Sequence, residues 1–293
     1  MQSSTKSTTS RRSNRRLPKR YEGRHESQNS AGIAAPTGLA NGVGGQGARE
    51  VGAIIAIAIL VIGGGELLLR LMAVPQFILP TPSAIAVVFP SPEMATIAEH
   101  YAYTLIELVA GYAVGASMGL ILAGVITQFP FVEKVITPYV LLLVTTPMLA
   151  LVPLLILNFG FGFTPRIIAV ALASGPMVMI NAATGFRRVD TMKVALARSC
   201  GASTLQIFTK IRIPMAMPMV IVGLMIGAIF GMITAVGAEM SGGGFGLGSR
   251  LTTYSSTLRV PEFFACILIL AVTGITIYAF FFWLGKKLAS WES

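Results

Sequence analysis

Four ionisable side chains interrupt the long uncharged segments of this sequence. Glu66 and Arg70 lie four residues apart in one segment, Glu107 lies in a second, and Glu239 ends a third, just before three glycines. A charge at the centre of a membrane helix costs about 2.5–3.5 kcal/mol, so such groups face a partner, the protein interior or the interface. Glu66 and Arg70 indicate either a mutual ion pair or a gate contact. Glu239 indicates either a pathway or gate contact or a cap on the glycine-rich loop.

Uncharged polar residues within apolar segments are a second set of candidates. Thr145 and Thr146 precede Pro147, and Asn181 lies in the next apolar segment. Most such side chains bond to their own or a neighbouring helix. Because a proline interrupts a helix, the two threonines beside it are predicted to be polar groups at a backbone break. If the apolar segments enclose a pathway or a gate, the candidates for lining it are Thr145, Thr146, Asn181 and Glu239.

Residue types that most covalent or metal chemistry requires are scarce. The two histidines, His25 and His100, and the two cysteines, Cys200 and Cys266, have neither metal-ligand nor disulfide spacing. The apolar segments contain no histidine or lysine to activate a serine. No G-x-x-x-x-G-K-[ST] phosphate-binding loop is present, so this sequence does not bind ATP in that way. We predict no catalytic residue, no metal site and no cofactor.

The composition is typical of a membrane protein. Hydrophobic residues make up 54% of the 293 residues and charged residues only 12%, against about 25% charged in soluble domains. Residues 1–50 are polar, hold nine of the 22 Lys and Arg, and are predicted to be a disordered basic tail. Residues 51–293 are predicted to form one all-α transmembrane domain. Six segments have the roughly 20 apolar residues that a span needs, near 51–73, 101–127, 137–158, 167–186, 215–240 and 263–285.

One apolar segment, 135–165, is long for a single helix and holds Pro147 and Pro153. It predicts either a broken helix or a helix followed by a re-entrant piece, since backbone breaks at membrane depth are tolerated where they face protein or water.

The distribution of basic residues predicts the orientation. Lys and Arg favour the cytoplasmic side, so the basic tail places the N-terminus inside. Six crossings then place residues 187–214 and the C-terminal Lys286 and Lys287 inside. The loops at 74–100, 159–166 and 241–262 are predicted to lie outside.

The segment between the fourth and fifth spans is strongly basic. It holds one acid, Asp190, and the cations Arg187, Arg188, Lys193, Arg198, Lys210 and Arg212. Two short helices around a turn are predicted, because Asp190 and Ser203 are good N-caps and Gly201 favours a left-handed turn.

Leu205, Phe208 and Ile211 are spaced to form an apolar stripe on the second of these short helices. Pro214 is expected to mark the entry into the next span. An apolar stripe framed by cations predicts a docking surface and not a membrane-spanning element.

The segment "ALARSCGASTLQIFTKIRIPMAMP" (195–218) resembles the cytoplasmic coupling segment of binding-protein-dependent ABC importer permeases of the type I fold. The family pattern is Glu-Ala-Ala, three residues, glycine, and later Ile-x-Leu-Pro. Here it reads Ala195-Leu196-Ala197, Gly201 and Ile211–Pro214, with Ala195 in place of the family's glutamate. "FILPTPSAI" (77–85), "TPMLALVPLLILNFGFG" (146–162), "AVGAEMSGGGFGLGSRL" (235–251) and the closing "LASWES" resemble the nitrate/sulfonate/taurine subfamily.

The resemblance implies a six-helix permease in a bacterial inner membrane, with both termini cytoplasmic. It implies two ATPase subunits, an extracytoplasmic solute-binding protein and a homodimer of this chain. The implied ATPase-coupling residues are Ala195, Ala197, Arg198, Gly201, Ala202, Ser203, Leu205, Phe208 and Pro214. The implied substrate is a small anion such as a sulfonate, taurine or nitrate.

Two other classes are compatible with a polytopic membrane protein. A self-contained secondary transporter or channel would need no coupling segment, and such proteins often carry an acid or a histidine at the midplane. The acids here lie toward the predicted outer side. An intramembrane enzyme would need a buried base that the spans do not contain.

Overall fold

A computed structural model describes the backbone of residues 46–288 and the side chains of residues 51–288, and these residues form no β-strand. The predicted disordered tail, residues 1–50, lies outside the described backbone up to residue 45. Its last five residues are helical instead, because the first helix begins at Gln46. The elements in chain order are α1 (Gln46–Leu71), α2 (Pro82–Val88), α3 (Glu93–Gln128), α4 (Pro130–Thr145), α5 (Met148–Phe159), α6 (Phe163–Arg187), α7 (Thr191–Ser199), α8 (Thr204–Ile207), a π turn (Phe208–Arg212), α9 (Ile213–Gly242), α10 (Leu247–Ser256) and α11 (Val260–Leu288).

The prediction of an all-α protein with six membrane-crossing segments is confirmed. Five helices are long and apolar enough to cross a membrane. The helices α4 and α5 meet the same criteria only when they are taken together as one bent span. The third helix, α3, has 36 residues and is therefore about 54 Å long at 1.5 Å per residue. It extends well beyond a hydrocarbon core of about 30 Å, which explains why it begins eight residues before the predicted span.

The predicted break lies at Pro147, where α4 and α5 meet at 97°. Thr146 is extended (φ −77°, ψ 125°), as expected for a residue that precedes proline. Pro153 lies inside α5 and does not end it. The sequence therefore located the break, and the structure assigns it to the first proline.

The core of the described chain is the contact of α3, α6 and α9. Glycines allow the close approach: a Cβ on Gly115 would lie 2.5 Å from the Ala171 carbonyl oxygen, and one on Gly223 would lie 2.7 Å from the Asn181 Cβ. The glycine repeats thus serve helix packing, as small-residue spacing in membrane helices favours. Ala123, Met179, Ala182 and Ala216 belong to the buried cluster at one end of these helices.

The first helix is exposed along its apolar length. None of the residues from Val51 to Leu71 is buried, and the part up to Ile59 forms a structural unit separate from residue 60 onward. Glu66 and Arg70 form an ion pair of 2.5 Å, so the first of the two predicted alternatives for this pair is the one observed.

Gly115→Ala should destabilise the protein by about 1–3 kcal/mol, because the added methyl group overpacks the α3–α6 contact. The measurement is the free energy of unfolding of the purified chain in detergent. The control is Gly124→Ala on the same helix, where the Cβ would meet only the Phe208 ring at 3.4 Å. This control should be neutral or up to about 1 kcal/mol more stable. Equal effects of the two substitutions would contradict the packing role of Gly115.

Candidate functional site

The basic segment after α6 forms the predicted pair of helical pieces around a turn. The Met192 backbone N–H donates to Asp190 Oδ1 at 2.8 Å, which caps α7. Gly201 follows with φ +81°, a left-handed conformation that glycine adopts without steric cost. Both predictions, the cap and the turn, are confirmed.

The second helical piece, α8, begins with a capping box that was not predicted from the sequence. The Gln206 N–H donates to Ser203 Oγ, and the Ser203 N–H donates to Gln206 Oε1 at 2.9 Å. The signal was present in the sequence, since Ser followed three residues later by Gln is the pattern of this motif. Two backbone donors at the start of α8 are thereby satisfied.

Pro214 lies at the entry into the fifth span, as expected, because α9 begins at Ile213. The second piece nevertheless does not end before this proline. The chain continues from α8 through the π turn into α9, so residues Thr204–Gly242 form one helical rod of 39 residues. Pro214 lies in the first turn of α9, where a missing N–H is tolerated. α8 and the fifth span are therefore parts of one continuous helix.

The surface of this segment carries a row of exposed apolar side chains. Met192, Leu196 and Leu205 are 76%, 67% and 71% exposed, and we refer to them as the apolar ridge. Phe208 and Ile211 of the predicted stripe are half-buried instead, because Phe208 packs on Phe186 with ring centroids 5.2 Å apart. Of the implied coupling residues, those that are exposed are Ala195, Arg198, Gly201, Ser203, Leu205 and Pro214, and those that are half-buried are Ala197, Ala202 and Phe208.

The two threonines beside the break differ in their surroundings. Both donate to the Leu142 carbonyl of their own helix, Thr145 at 3.1 Å and Thr146 at 2.7 Å. Thr146 lines a recess of about 280 Å³ together with Pro147 and Thr234 of α9, whereas Thr145 does not line it. The bend thus brings one of the two pathway candidates to a cavity between helices.

Asn181 is half-buried on α6, facing α9. Its side-chain amide donates to the Met177 carbonyl at 2.8 Å, and its Cβ is the atom that approaches Gly223 most closely. This position is a helix contact, and the structure does not bring Asn181 to the recess at the break.

Glu239 is fully buried at the end of α9, where the glycine-rich loop folds over its carboxylate. Glu239 Oε2 accepts from the Gly248 N–H at 2.7 Å. Gly246 (φ +91°) lies so close to this carboxylate that a Cβ there would overlap it. The observed contact matches the second alternative that the sequence left open, a cap on the loop.

Sequence reasoning missed a buried ion pair beside this carboxylate. Arg166 donates to Glu107 at 2.7 Å, and the two side chains are 3% and 0% exposed. The same guanidinium donates to the carbonyls of Gly243 and Phe245 in the glycine-rich loop. Arg166 was expected in an external loop, but α6 begins at Phe163 and places Arg166 in its first turn.

The signal for this pair was a single acid in one span and a single base at the edge of another. A buried charge without a partner is strongly unfavourable, so two unmatched opposite charges at similar depth are candidates for pairing. The arrangement joins α3, α6 and the loop after α9.

A second polar cluster lies at the start of α11. Tyr254 donates to Glu93 at 2.8 Å, and Arg259 contacts both Glu93 and Glu262. Burial, followed by the bond to Glu93, raises the pKa of Tyr254 above its usual range, so the phenol remains a donor. Hydrogen bonds to Glu262 and Glu93 raise the pKa of Arg259. This cluster ties α3, α10 and α11 together.

Within the described part of the chain, no group of three or more His, Cys, Asp or Glu is placed to hold a metal ion. The site therefore consists of a basic hairpin at one end of α9 and a buried ionic network at its other end.

Residues 115–290 match the family described as binding-protein-dependent transport system inner membrane component. The chain belongs to this family, whose members are non-catalytic membrane subunits of ABC transporters. It is a multi-pass membrane protein and an ABC importer permease subunit.

Individual relatives agree with this assignment. The chain is 30% identical over 243 residues to the putative aliphatic sulfonates transport permease protein SsuC of Bacillus subtilis, covering 82% of this chain and 85% of the relative. It is 26% identical over 220 residues to the riboflavin transport system permease protein RibX of Chloroflexus aurantiacus, covering 75% and 82%. The fold is similar to that of a solved chain of the MetNI methionine ABC transporter, with a TM-score of 0.55, 17% identity, and coverage of 68% of this chain and 99% of that chain.

Arg166→Met should cost about 3–5 kcal/mol of stability, because it leaves the Glu107 carboxylate buried without a counter-charge. The matched control is Arg70→Met, which removes an exposed ion pair and should cost less than about 1 kcal/mol. Unfolding in detergent measures both values. The double variant Glu107→Leu/Arg166→Met should recover much of the loss, since both buried charges are gone. A small, equal effect of the two single substitutions would contradict the role of the buried pair.

Proposed function

We propose that this chain is the permease subunit of an ATP-driven importer, and that it passes a small anion such as a sulfonate, taurine or nitrate delivered by an extracytoplasmic binding protein. The observation that carries the proposal is the basic hairpin 188–212, with an exposed apolar ridge, in continuous helical connection to α9. Such a surface suits a rigid partner that applies force to it.

The connection of the hairpin to the bundle supports a lever mechanism. The helix α7 follows α6 after a short turn, and α8 passes through the π turn into α9 without a break. Because α6 and α9 pack closely along their length, a force on the hairpin moves both spans together. The sequence holds no phosphate-binding loop, so ATP hydrolysis is assigned to a separate subunit.

The coupling residues are assigned to this contact. The exposed Leu205 is proposed to touch the ATPase together with the rest of the apolar ridge. Ala195 and Arg198 lie on the other side of α7, toward the bundle, and are proposed to support this contact by positioning α7. The half-buried Phe208 anchors α8 on α6 through Phe186. Gly201 sets the angle between the two helical pieces through its positive φ.

The pathway is proposed to pass the recess at the α4–α5 break. Thr146 and Thr234 supply hydroxyl groups to an otherwise apolar lining, which suits weak, non-selective contacts with a hydrated solute. Glu239 and Arg166 are assigned to holding the glycine-rich loop in place, at the end of α9 that faces the binding protein.

The assembly is proposed to contain two copies of this chain, two ATPase subunits and one binding protein. The hairpin, both termini and the basic tail lie on the cytoplasmic side of a bacterial inner membrane in this arrangement. The excess of Lys and Arg in residues 1–50 and 187–214 supports this orientation.

The substrate class rests on the similarity to SsuC and on the four segments that resemble the nitrate/sulfonate/taurine subfamily. The similarity to RibX, whose name gives a different solute, supports a pathway of low selectivity, in which the binding protein determines what is carried.

Leu205→Asp should abolish co-purification of the ATPase subunit, because it places a charge in the centre of an apolar contact. Gly201→Pro should have the same effect, since proline does not adopt a positive φ. Pull-down of the full complex from membranes and substrate-stimulated ATP hydrolysis measure both effects.

The control is Gln76→Asp, which adds the same charge at an exposed position in the loop before α2 and should leave assembly intact. Full assembly and full turnover in the Leu205→Asp and Gly201→Pro complexes would contradict the docking role of the hairpin. Absence of any ATPase in pull-downs of the wild-type chain would favour a self-contained transporter.

The partner binding protein should retain a small organic sulfonate or inorganic anion when it is purified. Titration calorimetry of that protein with taurine, an alkanesulfonate, nitrate and riboflavin tests the substrate class. Tight binding of an anion with no binding of riboflavin is expected, and the reverse result would refute the anion assignment while leaving the importer assignment intact.

A further inference from the structure

A recess of about 450 Å³ lies between α7 and one end of the bundle. Its lining consists of Thr127, Phe186, Arg187, Arg198, Arg212 and small residues of the hairpin, including Ala195. Thr127 is in the last turn of α3, and Phe186 and Arg187 end α6. Because Arg212 directly precedes α9, the recess lies where α3 and α6 end and α9 begins.

The charges in this recess are unbalanced. Arg187 pairs with Glu133 at 2.8 Å. Among the residues that the structure describes, no carboxylate lies within 4.0 Å of Arg198 or Arg212, whereas Arg70, Arg166 and Arg259 each pair with a glutamate. Two guanidinium groups thus line a cavity that contains no countercharge from the described residues.

The geometry of α7 separates this recess from the apolar ridge. Thr191, Val194, Ala195 and Arg198 line the recess, and their spacing of three and four residues places them on one side of a helix. Met192 and Leu196 of the ridge project about 130° away at 100° per residue. A partner seated on the ridge would leave the recess open toward the ends of the spans.

We infer that this recess binds the phosphate group of an anionic phospholipid. A basic pocket between the ends of membrane helices is the kind of site that binds lipid headgroups, and nearby Lys and Arg each add about 1 kcal/mol of attraction at the membrane surface. Three further cations of the same segment are exposed and lie outside the recess lining: Arg188, Lys193 and Lys210. The same end of the bundle exposes Phe129 and Phe131, which can contact an acyl chain.

The place of the recess at the ends of two apolar helices favours a lipid over other anions. A phosphate that contacts Arg198 and Arg212 there can have its acyl chains alongside the apolar helices α3 and α6. The small side chain at Ala195 leaves the space that a glutamate would fill and neutralise. The inference holds whether or not the chain transports an anion, because it depends only on the spans and the hairpin.

Native mass spectrometry of the full chain, purified in detergent and titrated with phosphatidylglycerol or phosphatidylcholine, tests the inference. The wild type should bind phosphatidylglycerol preferentially. Arg198→Gln/Arg212→Gln should bind it about 30-fold more weakly, which corresponds to about 2 kcal/mol. Ala195→Glu should weaken it by about tenfold or more, since it places a carboxylate in the cavity beside the two guanidinium groups.

The matched control is Lys193→Gln/Lys210→Gln, which removes two exposed charges from the same hairpin outside the recess. Because a detergent micelle has no anionic membrane surface to attract these lysines, the control should change binding by less than about threefold. An equal loss in this control would overturn the inference in favour of diffuse surface attraction. Displacement of the lipid by millimolar inorganic phosphate would overturn it in favour of a free-anion site. Unchanged lipid binding in Arg198→Gln/Arg212→Gln, with loss of the ATPase subunit from pull-downs, would assign the recess to a carboxylate of that partner.

Discussion

The close approach of α6 to α9 is the contact on which the rest of the structure depends. Glycines on both helices, such as Gly185 and Gly223, face side chains and carbonyls of the opposite helix with no room for a Cβ. In a membrane, helices associate through such packing and through interhelical hydrogen bonds, because the hydrophobic effect does not drive helices together within apolar lipid. The basic hairpin joins these two helices at one end, and Arg166 joins them at the other by donating to the carbonyls of the loop after α9. In the proposed function, a force on the hairpin would reach the loop at the far end through this helix pair.

The polar groups at the hairpin end of α6 and α9 differ from those at the far end in their burial and in their pairing. Glu107 and Glu239 at the far end are buried, and one carboxylate oxygen of each is bonded, to Arg166 and to the Gly248 N–H respectively. Such networks cost desolvation and fix one arrangement of the elements that they join. At the hairpin end, Arg198 is exposed, and neither Arg198 nor Arg212 has a counter-charge among the described residues. The paired end thus favours one fixed conformation, whereas the hairpin end has cations that are free for the contacts proposed above.

Much of the fold could be predicted from the sequence because membrane spans and helix caps depend on local patterns. The six spans, the break at Pro147, the Asp190 cap and the Gly201 turn each follow from neighbouring residues. The continuity of α8 with α9 could not be predicted, since a proline normally suggests a helix start and the π turn that accommodates Pro214 has no clear sequence pattern. The Glu107–Arg166 pair depends on contacts 59 residues apart, and the cationic recess depends on how α7 lies against the ends of three spans.

The side of the membrane that the hairpin faces decides whether it receives force from an ATPase. Cys200 is exposed in the turn of the hairpin and Cys266 is buried, so the natural chain carries a single accessible thiol among the described residues. A membrane-impermeant maleimide should label Cys200 in inside-out vesicles and not in intact cells, and Cys200→Ser should abolish the label. Labelling of Cys200 from outside intact cells would contradict the cytoplasmic position of the hairpin and the transmission of force through α6 and α9.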